Sequence, residues 1–170
     1  MANIRKTASG GERTEIDRLV AVLGFRNRQA SYAATSSGAI ANGTTAGKLK
    51  TAAACSFKIA GVLYAKAIAD DLWDLSAKTD TIAAQYRAYA LYLDANGAAT
   101  LGDGANAASV AAALLALPAF DATKAVIGVY VAGPSTDFNA AGGLAAQGTI
   151  YNGLPDGVSA DGGPIVQLNR

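Results

Sequence analysis

Three aspartates in the middle of the chain are the residues best placed to do chemistry. Asp70, Asp71 and Asp74 flank Leu72 and Trp73. Carboxylate oxygens are the ligands that calcium prefers, and two carboxyls placed across a sugar can hydrolyse a glycosidic bond. The calcium-loop pattern is missing, because no glycine stands at the sharp turn and no glutamate ends the loop. We therefore expect a solvated turn ahead of a strand that carries Trp73.

A glycine pair later in the chain superficially resembles a phosphate-binding loop. Gly102-Asp103-Gly104 precedes a helical pattern, and the N-terminus of a helix attracts anions. The third glycine of the dinucleotide pattern is replaced by Ala107, and Asp103 would repel a phosphate. This segment is therefore predicted to be a strand-to-helix turn that binds no ligand.

The amino-acid composition removes most of the remaining chemistry. The chain has no histidine, which is the usual general base and the commonest zinc ligand. Its single cysteine, Cys55, lies in the apolar run Ala52–Ala60 and is predicted to be a buried thiol. We expect no catalytic residue, no cofactor and no metal, so the sequence does not predict an enzyme.

Length and charge place the chain among single-domain proteins. It has 170 residues and a formal net charge of +1. No signal-peptide pattern follows the N-terminus, and Ala107–Phe120 is too short, and broken by Pro118, to span a bilayer. We expect a soluble protein with no membrane and no small-molecule substrate. Neither aromatic interleaving nor a dense basic cluster indicates nucleic acid.

The N-terminal region is predicted to begin with an amphipathic helix over about Glu12–Leu23. Its apolar face has helical spacing, and its arginines make the region basic. Such a face must dock on the same domain or on a neighbouring subunit, and the sequence leaves both open. The candidate contact residues are Arg13, Ile16, Arg18, Leu19, Val20, Leu23, Arg26 and Arg28.

Residues 30–54 contain few large apolar side chains and no helical period. Burying so little area cannot offset the cost of ordering the backbone, so this stretch is predicted to be an extended arm. The chain is thereby divided into a helix and arm over 1–54, a β-rich body over 55–151 and an extended tail over 152–170.

Turn signals and apolar runs predict the strands of the body. Phe57–Ile59 and Val62–Tyr64 flank the tight turn Ala60-Gly61. Tyr86–Asp94 is a strand, and Asn96-Gly97 favours a type I′ turn that returns the chain as Ala98–Leu101. The nearly continuous apolar run Val126–Val131 predicts a strand buried on both faces, and Thr149–Tyr151 is a short strand.

One helix is predicted to interrupt these strands. Asn106 can cap a segment Ala107–Leu117 in which Val110, Leu114 and Leu117 share a face, and Pro118 ends it. The fold class is therefore mainly β, with a β-sandwich or barrel-like body, an N-terminal amphipathic helix, an extended arm and one inserted helix.

Six tyrosines of the body admit two interpretations. They could line a sugar-binding or RNA-stacking surface, or they could serve in strands and at subunit interfaces, which we favour. The six are Tyr64, Tyr86, Tyr89, Tyr92, Tyr130 and Tyr151.

The order of several phrases within about Ser56–Tyr151 carries a family resemblance. The phrases are Phe57–Ala67 with Asp70-Asp71, Gln85–Tyr89, Leu91–Gly97, Leu115–Ala119, Val126–Val131 and Asp137–Asn139. This pattern resembles capsid decoration (cement) and head-fibre proteins of tailed bacteriophages. The resemblance implies an extended N-terminal arm and a compact β-rich body that sits on the capsid lattice. It carries over no individual functional residue, because such proteins act through broad surfaces.

The resemblance implies a structural virion protein that binds the outer surface of a phage capsid and stabilises it. Its partners would be the major capsid protein and two further copies of itself in a homotrimer. It would be made in the host cytoplasm and reside on the capsid surface of the virion. The alternative is a fibre or tail-tip module that binds a receptor on the host surface.

Overall fold

The structure, a computed structural model, describes residues 38–79, 81, 83–139 and 143–153. These residues are mainly β-structure, arranged in three antiparallel sheets. The strands are β1 (Ile40–Asn42), β2 (Lys48–Thr51), β3 (Cys55–Ile59), β4 (Val62–Lys66), β5 (Ala69–Asp74), β6 (Tyr86–Asp94), β7 (Ala99–Ala107), β8 (Lys124–Ala132) and β9 (Gly148–Asn152).

The largest sheet has four strands in the order β7-β6-β8-β9. Its central strands β6 and β8 are buried along most of their length. The apolar run Val126–Val131 predicts burial on both faces, and the structure confirms it. The predicted strands at Tyr86–Asp94 and Thr149–Tyr151 are also confirmed.

The two smaller sheets have the orders β1-β2-β5 and β3-β4. The predicted tight turn between β3 and β4 is confirmed, since Ala60 and Gly61 both have positive φ, as a type I′ turn requires. The type I′ prediction for Asn96-Gly97 is wrong. Only Gly97 has positive φ there, which fits a three-residue loop in which a glycine in the left-handed region completes a type I turn.

The predicted helix is present but shorter, as α1 (Val110–Leu115). Its N-cap is Ser109, not Asn106, and the Ser109 hydroxyl accepts a hydrogen bond from the Ala112 amide at 3.2 Å. The start moves because β7 continues to Ala107. Gly102-Asp103-Gly104 therefore lies within a strand, and the predicted strand-to-helix turn at this place is wrong.

The glycines of β7 have a packing reason. A Cβ at Gly102 would lie 2.6 Å from the Tyr92 ring, and one at Gly104 would lie 2.8 Å from the Ala88 carbonyl oxygen. Both contacts are shorter than packed atoms tolerate. The two glycines thus allow β7 to lie closely against side chain and backbone of β6.

The four-stranded sheet has a hydrophobic cluster on each face. One cluster joins it to the smaller sheets and contains Leu49, Phe57, Trp73, Leu91 and Ile127, all buried. The other lies beneath α1, where Ala113, Leu114 and Leu117 pack against Ala88, Ala90, Val126, Val129 and Val131. Val110, Leu114 and Leu117, predicted to share a face, all pack in this cluster, although Leu117 follows the end of α1.

The extended-arm prediction is wrong for residues 38–54. These residues form β1 and β2, and Ile40 and Leu49 belong to the hydrophobic core. Leu49 pairs with Trp73 of β5. Gly128 of β8 makes room for Ile40, because a Cβ there would lie 2.4 Å from Ile40 Cδ1. The packing of these two large side chains in the core thus orders this segment. Its composition alone would not be sufficient to order it.

The predicted N-terminal helix, the arginines before residue 38 and the tail beyond residue 153 lie outside the described residues. No helix in the described part of the chain combines the length and apolar character needed to cross a bilayer.

Candidate interaction surface

The aspartates of the acidic cluster lie within β5, beside Trp73, and not in a turn ahead of it. Asp70 accepts hydrogen bonds from the Thr44 hydroxyl and from the Thr44 amide, the latter at 3.1 Å. Asp71 accepts the equivalent pair from Thr45, with the amide at 3.0 Å. The two carboxylates thus fasten the β1–β2 turn onto β5.

These contacts lower the pKa of each carboxyl group. The Thr44 hydroxyl has the largest effect on the pKa of Asp70, and the Thr45 hydroxyl on that of Asp71. Asp74 lies 3.3 Å from Lys48 Nζ, and the Ser76 hydroxyl is the main cause of its lowered pKa. Across the described ranges, no three Asp, Glu, Cys or His side chains are arranged to hold a metal ion. The hydrogen bonds to Thr44 and Thr45 and the ion pair with Lys48 give the cluster a structural role.

Stability should fall in acid because of this cluster. A carboxyl whose pKa is lower in the folded state than its ordinary 3.8 stabilises the fold above that value, and the contribution is lost as the pH falls through the folded-state pKa. We expect Asp70→Asn/Asp71→Asn to unfold at a lower temperature than the wild type at pH 7 and to lose less stability on acidification.

Thermal unfolding followed by circular dichroism across the acid range measures both effects. Thr44→Val/Thr45→Val is the matched control, since it removes the hydroxyl donors but keeps both carboxylates. It should also flatten the acid dependence. An acid dependence equal to that of the wild type in both variants would refute this role.

Cys55 is buried, as predicted. Burial raises the pKa of its thiol, and the nearby Lys66 ammonium opposes that rise only in part. A thiol is nucleophilic as the thiolate, so burial and a raised pKa both make Cys55 inert.

The six tyrosines do not form one exposed surface. Tyr89, Tyr92 and Tyr130 are buried, and the Tyr130 hydroxyl donates to the Leu144 carbonyl oxygen at 3.0 Å. Tyr64 stacks on Phe57 with the ring centroids 5.8 Å apart. These rings serve the core, and the interpretation of the set as a stacking surface for sugar or RNA is wrong.

Two exposed apolar side chains lie at the tip of the β3–β4 hairpin. Val62 and Leu63 expose 55% and 62% of their surface, and Ile68, beyond the other end of β4, exposes 65%. We name Val62 and Leu63 the hairpin patch. Val62 pairs with Ile59 and Leu63 with Lys58, so the two neighbours point to opposite faces of the hairpin. Each face of the tip therefore carries one large exposed apolar side chain, with Lys58 beside Leu63.

The backbone of β4 adds a second feature to the hairpin patch. Among the described strands β4 pairs only with β3, which leaves the hydrogen-bonding groups along its other edge without a strand partner. Folded proteins usually blunt such an edge with charge, proline or a bulge. An edge that no described strand covers, with large apolar side chains beside it, is suited to accept a strand from another protein.

A groove separates the edges of β5 and β7, which belong to different sheets. Leu72, Trp73 and Leu101 are among its lining residues, and its volume is about 470 Å³. Lys78 and Asp103 form an ion pair across this region, with Nζ and Oδ2 2.7 Å apart. The groove is open to solvent and mixed in polarity, so it is less suited to protein contact than the hairpin patch.

The hairpin patch was missed by sequence reasoning, which placed the candidate contacts at Arg13, Ile16, Arg18, Leu19, Val20, Leu23, Arg26 and Arg28, all outside the described residues. Val62-Leu63 did carry a signal. Two large apolar neighbours in a strand point to opposite faces, which requires either burial on both sides, as in β8, or an exposed apolar face.

No protein-family model, curated protein or solved structure matches this chain significantly.

Proposed function

We propose that this chain is a structural virion protein that binds the outer surface of a tailed-phage capsid and stabilises it. The observation that carries the proposal is the hairpin patch, two exposed large apolar side chains beside a strand edge that no described strand covers. Solvent exposure of large apolar side chains is unfavourable, and burial against another protein relieves it. The resemblance of residues 56–151 to phage decoration proteins supplies the identity of that other protein.

The body that carries the patch is proposed to be a β-sandwich. The sheet β1-β2-β5 and the sheet β7-β6-β8-β9 contribute to one hydrophobic cluster. β5 and β7 face each other without forming a common sheet, which favours an open sandwich over a closed barrel. A rigid body of this kind holds the hairpin in a fixed position against a lattice.

Stabilisation would follow from mass action and needs no catalytic step. A protein that binds the assembled shell but not its separate subunits stabilises the shell by RT ln(1 + [L]/Kd) at each site. The partners are then the major capsid protein and copies of this chain, and the location is the capsid surface. Arg13, Arg18, Arg26 and Arg28, with the apolar face of Ile16, Leu19, Val20 and Leu23, remain candidate contacts within this proposal.

Capsid attachment should depend on the hairpin patch. Leu63→Glu places a charge in the proposed contact and is expected to weaken binding to heads that lack this protein by about tenfold or more, because desolvating a carboxylate is costly even with Lys58 opposite it. The matched control is Leu115→Glu, since Leu115 is also exposed, at 49%, but lies on α1. The measurement is the amount of each protein that sediments with the heads.

Both variants should keep the thermal unfolding transition of the wild type, since neither site is buried. Equal binding of Leu63→Glu and the wild type would refute the role of the hairpin patch. Binding of the wild type to host cells but not to heads would refute capsid decoration and favour the receptor-binding alternative.

The proposed oligomer is a homotrimer, as the resemblance implies. Size-exclusion chromatography with light scattering should give a molar mass three times the 17.0 kDa of one chain. A monomer at micromolar concentration would contradict the trimer and make the shell the sole partner.

A further inference from the structure

The sequence contains three Asn-Gly pairs, Asn42-Gly43, Asn96-Gly97 and Asn152-Gly153. Asn-Gly is chemically labile because glycine has no side chain to hinder its backbone nitrogen, which can attack the asparagine side-chain amide. The first two pairs even share the same preceding residue, in Ala41-Asn42-Gly43 and Ala95-Asn96-Gly97. The sequence alone therefore gives the first two pairs nearly equal reactivity.

The structure holds Asn42 and Asn152 in place by long-range hydrogen bonds. Asn42 Oδ1 accepts from the Ala145 amide at 2.9 Å, and Asn152 Oδ1 accepts from the Ile40 amide at 2.7 Å. Each bond joins segments more than a hundred residues apart. Rotating either side chain toward its following glycine nitrogen would break a tertiary contact of the body.

The glycine nitrogens of these two pairs are also engaged. Gly43 donates to the Lys48 carbonyl oxygen at 2.7 Å, and Gly153 donates to the Ile127 carbonyl oxygen at 2.9 Å. In addition, a Cβ at Gly143 would lie 2.6 Å from Asn42 Nδ2, so the half-buried Asn42 side chain lies close against the Gly143 backbone. Attack at these two sites requires opening of the packed structure.

Asn96 is held quite differently. Asn96 and Asn152 are both exposed, but the Asn96 side chain makes no hydrogen bond to any described residue. The Gly97 amide donates only to the Asp94 carbonyl oxygen three residues earlier, at 2.9 Å. This bond lies within the β6–β7 turn and can open when the turn alone frays, which costs far less free energy than opening the core.

We propose that Asn96 is a site of spontaneous deamidation, selected from the three Asn-Gly pairs by the fold. The Gly97 nitrogen bonds to Asn96 Cγ, the Cγ–Nδ2 bond breaks, and ammonia leaves with the proton of the Gly97 amide. Water then opens the resulting succinimide ring. Cleavage at Cγ gives aspartate, and cleavage at the backbone carbonyl gives isoaspartate with the chain continued through Cγ.

Either product adds a negative charge to the end of the sheet, cancelling the formal net charge of +1. The charge arises beside Lys66 at the end of β4, since a Cβ at Gly97 would lie 3.3 Å from Lys66 Nζ. Isoaspartate also lengthens the backbone within the turn. The Gly97 amide then no longer aligns with the Asp94 carbonyl oxygen. Deamidation would thus alter the turn next to the strand that carries the hairpin patch.

The test is incubation of the full-length protein at mildly alkaline pH, followed by trypsin digestion and mass spectrometry that separates asparagine, aspartate and isoaspartate. Trypsin places the three pairs on separate peptides, 29–48, 88–124 and 125–170. In the native protein we expect Asn96 to convert about tenfold or more faster than Asn42 and Asn152, as local opening costs less than global opening.

A denatured sample is the matched control, in which Asn42 and Asn96 should convert at similar rates because they share the same tripeptide. A second variant, Asp94→Ala, removes the Asp94 Oδ1 acceptor that receives the Asn96 and Ala98 amides, both at 2.8 Å. It should loosen the turn and speed conversion at Asn96 alone. Native rates at Asn42 equal to or above those at Asn96 would overturn the proposal.

Discussion

A chain that lacks residues 1–54 is expected to lose the cooperative unfolding transition of the body, whereas a chain that lacks only residues 1–37 is expected to keep it. The difference is the contribution of residues 38–54, which form β1 and β2. β2 lies between β1 and β5, so its removal leaves β5 without a partner among the described strands. Ile40, Leu49 and Thr51 are all buried.

The size of the effect follows from burial. A fully buried leucine or isoleucine stabilises a fold by about 1.5–3 kcal/mol, and a domain is stable by only about 5–15 kcal/mol in total. Removing Ile40 and Leu49 together with the strands that carry them should therefore destabilise the body by more than its entire free energy of unfolding. Circular dichroism during heating measures the outcome.

Leu49→Ala is the milder variant for the same question. It should lower the free energy of unfolding by about 2–5 kcal/mol, because the substitution leaves a cavity beside Trp73 that cannot close completely. A chain lacking residues 1–54 that unfolds at the same temperature as one lacking residues 1–37 would contradict the place of β1 and β2 in the core.

The second large effect is expected at Trp73. This side chain is 1% exposed and lies in the cluster between the sheets. Trp73→Ala should lower the free energy of unfolding by about 3–5 kcal/mol, since it removes the largest side chain of the core and leaves a cavity. Urea unfolding followed by tyrosine fluorescence measures the loss without depending on the only tryptophan.

Trp73→Phe separates the ring from its hydrogen bond. The indole Nε1 donates to the Tyr92 carbonyl oxygen at 3.0 Å, at the place where the register between β6 and β8 shifts. Phenylalanine keeps an aromatic ring but removes this buried hydrogen bond, which should lower the free energy of unfolding by about 0.5–1.5 kcal/mol. Alanine and phenylalanine variants both as stable as the wild type would contradict the packing of β5 on the four-stranded sheet.

The central strands could be predicted from the sequence because their own residues determine them. Val126–Val131 is apolar on both faces, and only a strand with both sides covered satisfies such a run. The turn at Ala60-Gly61 was similarly local. The loop at Asn96-Gly97 was assigned the wrong turn type, because one dipeptide is compatible with loops of two lengths and the pairing of β6 with β7 decides between them.

The β1–β2 segment could not be predicted because its order comes from residues distant in the sequence. Ile40 occupies space left by Gly128, and Leu49 pairs with Trp73. Nothing within residues 30–54 indicates these partners. Likewise Thr44 and Thr45 become significant only when β5 brings Asp70 and Asp71 against them.

The candidate contact surface could be predicted only in part. Adjacent Val62 and Leu63 indicate a strand that is apolar on both faces, but whether such a strand is buried or exposed depends on the number of its neighbours. β8 lies between β6 and β9, whereas β4 has only β3 among the described strands. Sheet topology, not composition, makes one a core strand and the other a candidate contact.

We propose that this chain attaches to the outside of a phage shell through the β3–β4 hairpin. Electron cryomicroscopy of heads incubated with the full-length protein tests this attachment most directly. We predict added density on the outer surface, with Val62 and Leu63 against a capsid subunit and the outer edge of β4 covered. Heads without added density, or a bound body whose hairpin points into solvent, would contradict the account.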